Sequence, residues 1–343
     1  MSSAKPVDLT FAIPFRNEEG CLERTLSSVV EQDTGEYRVE VLLLDGRSED
    51  RSASIARRYA SMSRPGRVEL AVVDNEQERT PFAFNKAIGL AKGKIIGFGG
   101  AHTEYPTDYF KKALELMARV DAGVVGGGHS DYVAEDPSSV LARAMACLYK
   151  SRMGSGVAAY HRRKEPGYVD TVYGGFYRRE VFDRIGLFNE RLTRNQDNEL
   201  NARVTSAGMK IYFDPSLRTL YVQKADFKSF IARGYRFGFF HPETWRANPR
   251  SFRVRHAAPA VFTIYLLSGL IISPLFPVLW WYCCPMVAYG LLLSAEGVRL
   301  MKTTSLSVGA LTVPLFFLYH LSYGIGTLNG VLALAASHFR AKT

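Results

Sequence analysis

The chain has 343 residues, a formal net charge of +10 and 47% hydrophobic residues, with the apolar residues concentrated in its last quarter. The charge is compatible with nucleic acid, an anionic membrane surface or a phosphate-bearing substrate, and the apolar segments beside a basic stretch favour the membrane and argue against nucleic acid. Four cysteines, Cys21, Cys147, Cys283 and Cys284, have neither metal-ligand spacing nor a secreted disulfide pattern and read as reduced structural thiols.

Val7 to Ile13 alternates into Pro14 and reads as a strand ending in a loop of Arg16, Asn17, Glu18 and Glu19. Leu22, Leu26, Val29 and Val30 recur at helical spacing, and Glu40 to Leu44 follows as a buried parallel strand, completing a βαβ unit. That strand stops at Asp45-Gly46-Arg47-Ser48-Glu49-Asp50, where Ser48 or Asp50 can cap a helix carrying Ile55, Ala56 and Tyr59. Ligands of open α/β sheets bind just beyond such strand ends. Asp45 therefore either accepts hydrogen bonds from a base or ribose or serves the turn alone. Val68 to Val73 is a third strand, Thr80-Pro81 opens a helix, and Lys94 to Phe98 is a fourth strand running into Gly99-Gly100-Ala101-His102. The imidazole there can bind a divalent metal or a diphosphate oxygen, or be polar surface. Tyr109 to Val120 reads as a helix and Gly123 to Gly128 as a strand. Residues 137 to 168 read as irregular and basic, with Lys150, Arg152, Arg162, Arg163 and Lys164 forming either a lid over a diphosphate or a solvated loop. Neither GxGxxG nor GxxxxGK[ST] occurs.

The densest chemistry lies between Asp170 and Arg203. Asn195 to Ala207 reads as a short helix stopped by Gly208, on which Asp197 and Asn201 share a face and Glu199 points elsewhere. This is not the paired-carboxylate arrangement of glycoside hydrolysis. Asp197, in the first turn, suits a general base that takes a proton from an alcohol, and it equally suits a capping role.

Composition changes near residue 256. Residues 224 to 246 interleave aromatic and basic side chains like an interfacial segment, and Arg246, Arg250, Arg253, Arg255 and His256 precede an apolar run from Ala257 to Phe276, which marks that end as cytoplasmic. A second run spans Pro277 to Ala295; each suits a crossing of about 20 residues. A third, Ser305 to Ala336, is too long for one straight crossing and is interrupted at Ser322-Tyr323-Gly324-Ile325-Gly326. The expected organisation is a cytosolic domain over 1–223, an interfacial segment over 224–256, and three or four transmembrane helices over 257–339.

The segments IPFRNEE, LDGRSED, AHTEYPTDYF, VDTVYGGFYRREVF, GLFNERLTRNQDNELN and HLSYGIG, in that order, resemble the family 2 glycosyltransferases of GT-A fold, and among them the ExoA-like membrane enzymes of succinoglycan and exopolysaccharide synthesis. The resemblance implies an α/β fold with a Rossmann-like, mostly parallel mixed sheet flanked by helices, followed by a C-terminal α-helical transmembrane region. It implies inverting transfer of a hexose from a nucleoside diphosphate sugar, expected to be a UDP-hexose, to a polyprenyl diphosphate-linked sugar. The enzyme is then a multi-pass protein of the inner (plasma) membrane with its catalytic domain cytoplasmic. By the same resemblance Pro14, Arg16, Glu18, Asp45, Asn85, Gly100, Ala101, Gly174 and Gly175 contact the nucleotide sugar. Asp197 is the acceptor-activating base, His102 holds Mn²⁺ or Mg²⁺, and Gln196, Arg163 and Arg236 meet the acceptor or diphosphate. One departure stands out: the family carries Asp-x-Asp, or Asp-Ala-His, where this chain has Gly100-Ala101-His102, so a charged ligand is missing. A processive polysaccharide synthase, or a membrane scaffold that keeps the fold without the chemistry, are the alternatives.

Overall fold

The computed structural model describes residues 5–63, 67–134, 136, 138–151, 153–154, 163–223, 226–252, 254–275 and 280–340. Arg152, Arg162 and Arg253, three cations of the sequence reading, lie outside them. The chain divides into two compact units, Met1–Tyr132 with Ala158–Val222, and Val133–Val157 with Gln223–Thr343.

The first unit begins with β1 (Leu9–Phe15), α1 (Leu22–Val30), β2 (Val39–Asp45), α2 (Ser52–Met62), β3 (Val68–Asp74), α3 (Thr80–Leu90) and β4 (Ile95–Phe98). It continues with β5 (Thr103–Glu104), α4 (Tyr109–Arg119), β6 (Val124–Gly127) and β7 (His129–Ala134), and, beyond α5 (Val140–Lys150), with β8 (Gly167–Val169) and β9 (Tyr173–Arg178). The helices α6 (Arg179–Ile185) and α7 (Gln196–Ser206) and the strands β10 (Ile211–Phe213) and β11 (Thr219–Gln223) complete it. Eight strands pair in the order β3-β2-β1-β4-β9-β6-β10-β8, and β5, β11 and β7 form a small second sheet. The pairs β1–β2, β1–β4, β2–β3 and β6–β10 are parallel, whereas β9 runs antiparallel between β4 and β6.

Strand residues alternate between two cores, as a pleated strand requires. Phe11 and Ile13 of β1 and Val41 and Leu43 of β2 pack with α1, α2 and α4, around Leu22, Leu26, Ala56 and Phe110. Ala12, Leu42 and Leu44 turn to the other face, where α3, α6 and α7 supply Phe84, Ile88, Phe182, Leu200 and Val204. The result is a helix–sheet–helix sandwich of GT-A type, and burial on both faces explains why Glu40 to Leu44 reads as a buried parallel strand. Register fixes what the layers position. Phe15 lies beside Asp45 and Asp45 beside Asp74. The ends of β1, β2, β3 and β4 and the start of antiparallel β9 therefore share one sheet edge.

The second unit joins α5 to α8 (Phe227–Ala247), α9 (Val254–Leu275), α10 (Cys284–Thr303) and α11 (Leu306–Arg340). Tyr149 of α5 meets Tyr319 of α11 edge to face at 5.7 Å and Phe230 of α8 at 6.0 Å. α8 and α11 approach closely enough that a Cβ on Gly238 would strike the Tyr323 carbonyl, and one on Gly326 the Tyr235 carbonyl. The glycines of the 322–326 segment thus serve packing and do not break the helix: α11 is continuous over 35 residues. Among the described residues one helical segment, Leu306–Ser337, is long and apolar enough to cross a membrane, where the sequence reading expects three or four crossings. The second apolar run is expected to cross at 277–295; its described residues contribute to a helix over Cys284–Thr303.

One segment read as irregular is ordered. Within 137–168, Val140 to Lys150 is helical, capped by Ser139, whose hydroxyl accepts from Ala142 N at 3.3 Å. Ala144, Met145 and Leu148 are buried at helical spacing.

Candidate active site

Three loops leave the shared sheet edge. The loop after β1 is held by side chains from the loop after β2: Asn17 N donates to Ser48 Oγ (3.1 Å), Glu18 N to Ser52 Oγ (2.7 Å) and Glu19 N to Asp50 Oδ2 (3.1 Å). Arg16 forms an ion pair with Glu78 from the loop after β3. Asp45 is buried, and its Oδ1 accepts from Ser48 N (2.9 Å) and Ser48 Oγ (2.7 Å), so part of its carboxylate serves the turn. Backbone strain gathers here. Asn17, Arg47 and Glu78, one in each of the three loops, have φ of 54°, 58° and 59°, and the fourth such non-glycine residue among the described residues is Asn195 (φ 61°), immediately before α7. Left-handed conformations at Arg and Glu cost roughly 1–3 kcal/mol each and persist only where the surroundings hold them.

The turn after β4 is tied to α1. Gly99 N donates to Ala12 O (2.9 Å), Gly100 N to Tyr105 OH (3.0 Å), and Thr25 Oγ1 to Ala101 O (2.7 Å). His102 emerges between two residues of the preceding loop and helix start: Nε2 lies 2.8 Å from Glu18 Oε1, and Nδ1 3.0 Å from Cys21 Sγ. Glu18, Cys21 and His102 place a carboxylate, a thiol and an imidazole within 4.8 Å of one another, a donor set that fits a divalent cation. Gly100 contributes nothing to it, although a Cβ there would have room, its nearest neighbours being Thr103 Oγ1 at 3.5 Å and Tyr173 OH at 3.8 Å. Pro14 lies within β1, and Gly174 (φ 58°) and Gly175 within β9, whose start reaches the same edge.

At the start of α7 the two carboxylates have opposite surroundings. Glu199 is buried and forms a two-pronged pair with Arg203, Nε to Oε1 and Nη2 to Oε2, both at 2.8 Å. Arg203 also donates to Ile185 O (2.7 Å) and Leu187 O (2.8 Å), stapling α7 to the end of α6. Asp197 is open to solvent, yet surrounding protein desolvates it enough to raise its pKa, against the lowering effect of the backbone N–H groups of Asn198 and Asp197. Beneath it Tyr177 OH donates to Asn201 Oδ1 (2.9 Å), and Asn201 Nδ2 to Thr171 Oγ1 (2.9 Å). Burial first, and then the nearby Asp197 charge, raise the Tyr177 pKa, so its phenol stays protonated.

The remaining sequence-predicted residues divide. Gln196 Oε1 is buried without a hydrogen-bond partner, as is Asn75 Oδ1 just past β3. Such orphaned acceptors suit a ligand's N–H or O–H groups. Asn75 escaped the sequence reading, as did Cys21 as a neighbour of His102. Asn85 is committed elsewhere: its amide donates to Phe188 O and Glu190 Oε1 and accepts from Phe188 N, all at 2.9 Å, so it clamps α3 to the 186–190 loop. Arg163 is likewise spent on its own loop, donating to Glu165 O (2.8 Å), Tyr168 O (3.1 Å) and Pro166 O (3.3 Å). Arg236 belongs to the second unit, exposed on α8 and donating to Ala232 O (3.2 Å).

Similarity to known proteins agrees with this architecture. A dolichyl N-acetyl-alpha-D-glucosaminyl phosphate 3-beta-D-2,3-diacetamido-2,3-dideoxy-beta-D-glucuronosyltransferase of Methanococcus voltae is 24% identical over 94% of this chain and 97% of its own. The succinoglycan biosynthesis protein ExoA of Rhizobium meliloti is 24% identical over 73% of this chain and 71% of its own. The fold matches that of the mannosyltransferase PcManGT from Pyrobaculum calidifontis, solved with GDP-Man and Mn²⁺, with a TM-score of 0.56 at 18% identity over 93% of this chain and 89% of the other. The family model "Glycosyl transferase family 2" matches residues 10–186, more than half of the chain, which therefore belongs to glycosyltransferase family 2.

Proposed function

We propose that this glycosyltransferase moves a hexose from a nucleoside diphosphate sugar, a UDP-hexose in particular, to a lipid-linked saccharide, with inversion at the anomeric carbon. The observation that carries the reading is Asp197: a solvent-accessible, desolvated carboxylate in the first turn of α7, close to a protonated Tyr177. Its raised pKa strengthens it as a base for an alcohol. Asp197 takes the proton of an acceptor hydroxyl, whose oxygen bonds to the anomeric carbon as the bond from that carbon to the diphosphate oxygen breaks. In this reading Asp45, Asn75 and Arg16, at neighbouring strand ends, meet base and ribose. A divalent cation, held by Glu18 and His102, would supply positive charge against the departing diphosphate.

The lipid-linked acceptor draws support from two sides. One relative's name specifies a dolichyl-linked substrate and another's succinoglycan synthesis. The second unit also presents large apolar side chains outward, including Ile264 (52% exposed), Leu291 (66%) and Leu332 (66%), as a surface facing lipid does. We assign the protein to the plasma membrane, crossed by the Leu306–Ser337 segment, with its first unit cytoplasmic. Calorimetry on the full-length protein in detergent, with UDP, GDP and dTDP in turn, tests the donor. Preferential binding of UDP is expected, and no binding of any of the three, with or without Mn²⁺, would sink the transferase reading.

A further inference from the structure

Glu18 and Cys21 are neighbours at the start of α1, and His102 reaches them from 81 residues beyond Cys21. The backbone that carries them is fixed around one helix end. Cys21 N and Leu22 N both donate to Glu18 O, at 3.0 and 2.9 Å. Ser52 anchors Glu18 N, and Thr25 of α1 anchors the carbonyl just before His102. Ligand positions held by packing and hydrogen bonds of this kind are what a metal centre needs. The imidazole and carboxylate are partly open, with side chains 34% and 20% exposed, whereas Cys21 is buried, so an ion can enter from solvent and meet sulfur at the inner end.

We infer that Glu18, Cys21 and His102 form a cation site in which the Cys21 thiolate takes the place of the carboxylate missing at Gly100, and that the site selects a thiophilic divalent ion such as Zn²⁺ or Co²⁺ over Mg²⁺. The chemistry follows from the donors. Mg²⁺ prefers six oxygens and keeps its waters, whereas thiolate with imidazole and one carboxylate suits the softer ions. Binding replaces the Cys21 S–H bond by an S–metal bond and releases one proton to solvent. The three side chains also bond to one another, Sγ lying 3.4 Å from Glu18 Oε2. The inference deepens the metal part of the proposed function, but it concerns the ion alone and is tested without nucleotide.

The experiment is a Co²⁺ titration of full-length protein in detergent, with Cys147, Cys283 and Cys284 changed to serine so that Cys21 is the one remaining thiol. A thiolate-to-cobalt charge-transfer band should appear, be abolished by Zn²⁺, and withstand a large excess of Mg²⁺. Cys21→Ser and Cys21→Ala should both remove the band while thermal unfolding remains cooperative. His102→Ala and Glu18→Gln should each weaken Co²⁺ binding by at least the ~10–100-fold that losing a mere supporting group costs. Absence of the band, its displacement by Mg²⁺, or its survival undiminished in both His102→Ala and Glu18→Gln overturns the inference. A band in a protein that binds no nucleotide would count against the proposed function alone, and nucleotide binding without a band against this inference alone.

Discussion

The sheet edge and the first turn of α7 are both built around carboxylates, but they spend them differently. At the edge the charges are engaged: Asp45 accepts from Ser48, Arg16 pairs with Glu78, and Glu18 meets His102. At the helix start one carboxylate, Glu199, is fully engaged by Arg203, while Asp197 two residues earlier is left desolvated with only backbone N–H groups lowering its pKa. A group bound in several hydrogen bonds is positioned but poorly reactive, whereas one left without a countercharge can accept a proton. The contrast suggests a division of labour between a rim that holds a ligand and a helix turn that acts on it.

The sharpest way to break that division is Asp197→Asn. It should lower turnover by the roughly 10²- to 10⁴-fold that a general base contributes, while nucleotide affinity measured by calorimetry stays close to that of the unaltered protein. Equal losses in turnover and in nucleotide binding would mean that Asp197 belongs to the rim.

Glu199→Gln is the complementary experiment. One prong of the pair to Arg203 is lost, and with Arg203 partly open to solvent the cost should be about 2 kcal/mol, read as a lower unfolding temperature. Activity per folded molecule should remain within a few fold. A dead but fully stable Glu199→Gln protein would reverse the roles assigned to the two carboxylates.

Those roles were partly legible in the sequence because a helix fixes the angle between residues two apart. The spacing from Asn195 to Gly208 placed Asp197 and Glu199 on different faces without any knowledge of their partners. The βαβ order was legible for the same local reason, since alternating and continuous apolar runs reveal buried strands. What stayed hidden depends on contacts between distant segments. Nothing near Cys21 announces an imidazole from the turn after β4, and nothing near Asn85 announces that Phe188 will consume its amide. The helix α5 is legible in hindsight, since Val140 to Lys150 carries one internal basic residue, Arg143, in an otherwise apolar run. In α11 glycines that read as a break proved to be the places where another helix comes close.

The smallest predicted effect tests the electrostatic half of the contrast directly. Because the folded-state pKa of Asp197 is raised, chiefly by desolvation, the folded protein holds that proton more tightly than the unfolded chain does. Between the unfolded and folded pKa values the native state therefore binds more protons, and its stability falls as pH rises through that window. At neutral pH the ionised Asp197 is a net cost to folding, and Asp197→Asn should raise the unfolding temperature. Because solvent reaches the side chain, the gain should be smaller than the ~2–4 °C that 1 kcal/mol moves in a chain of a few hundred residues. The gain should disappear below the ordinary carboxylate range, where Asp197 is protonated in both states. Turnover should follow the opposite course, rising with pH as Asp197 ionises, with a midpoint above that of an ordinary aspartate. Unfolding temperatures of both proteins across the acidic range, beside a pH–rate profile of the unaltered enzyme, give two readings of one ionisation. If Asp197→Asn is less stable than the unaltered protein at neutral pH, the carboxylate is structurally engaged like Glu199, and the contrast between the two regions fails.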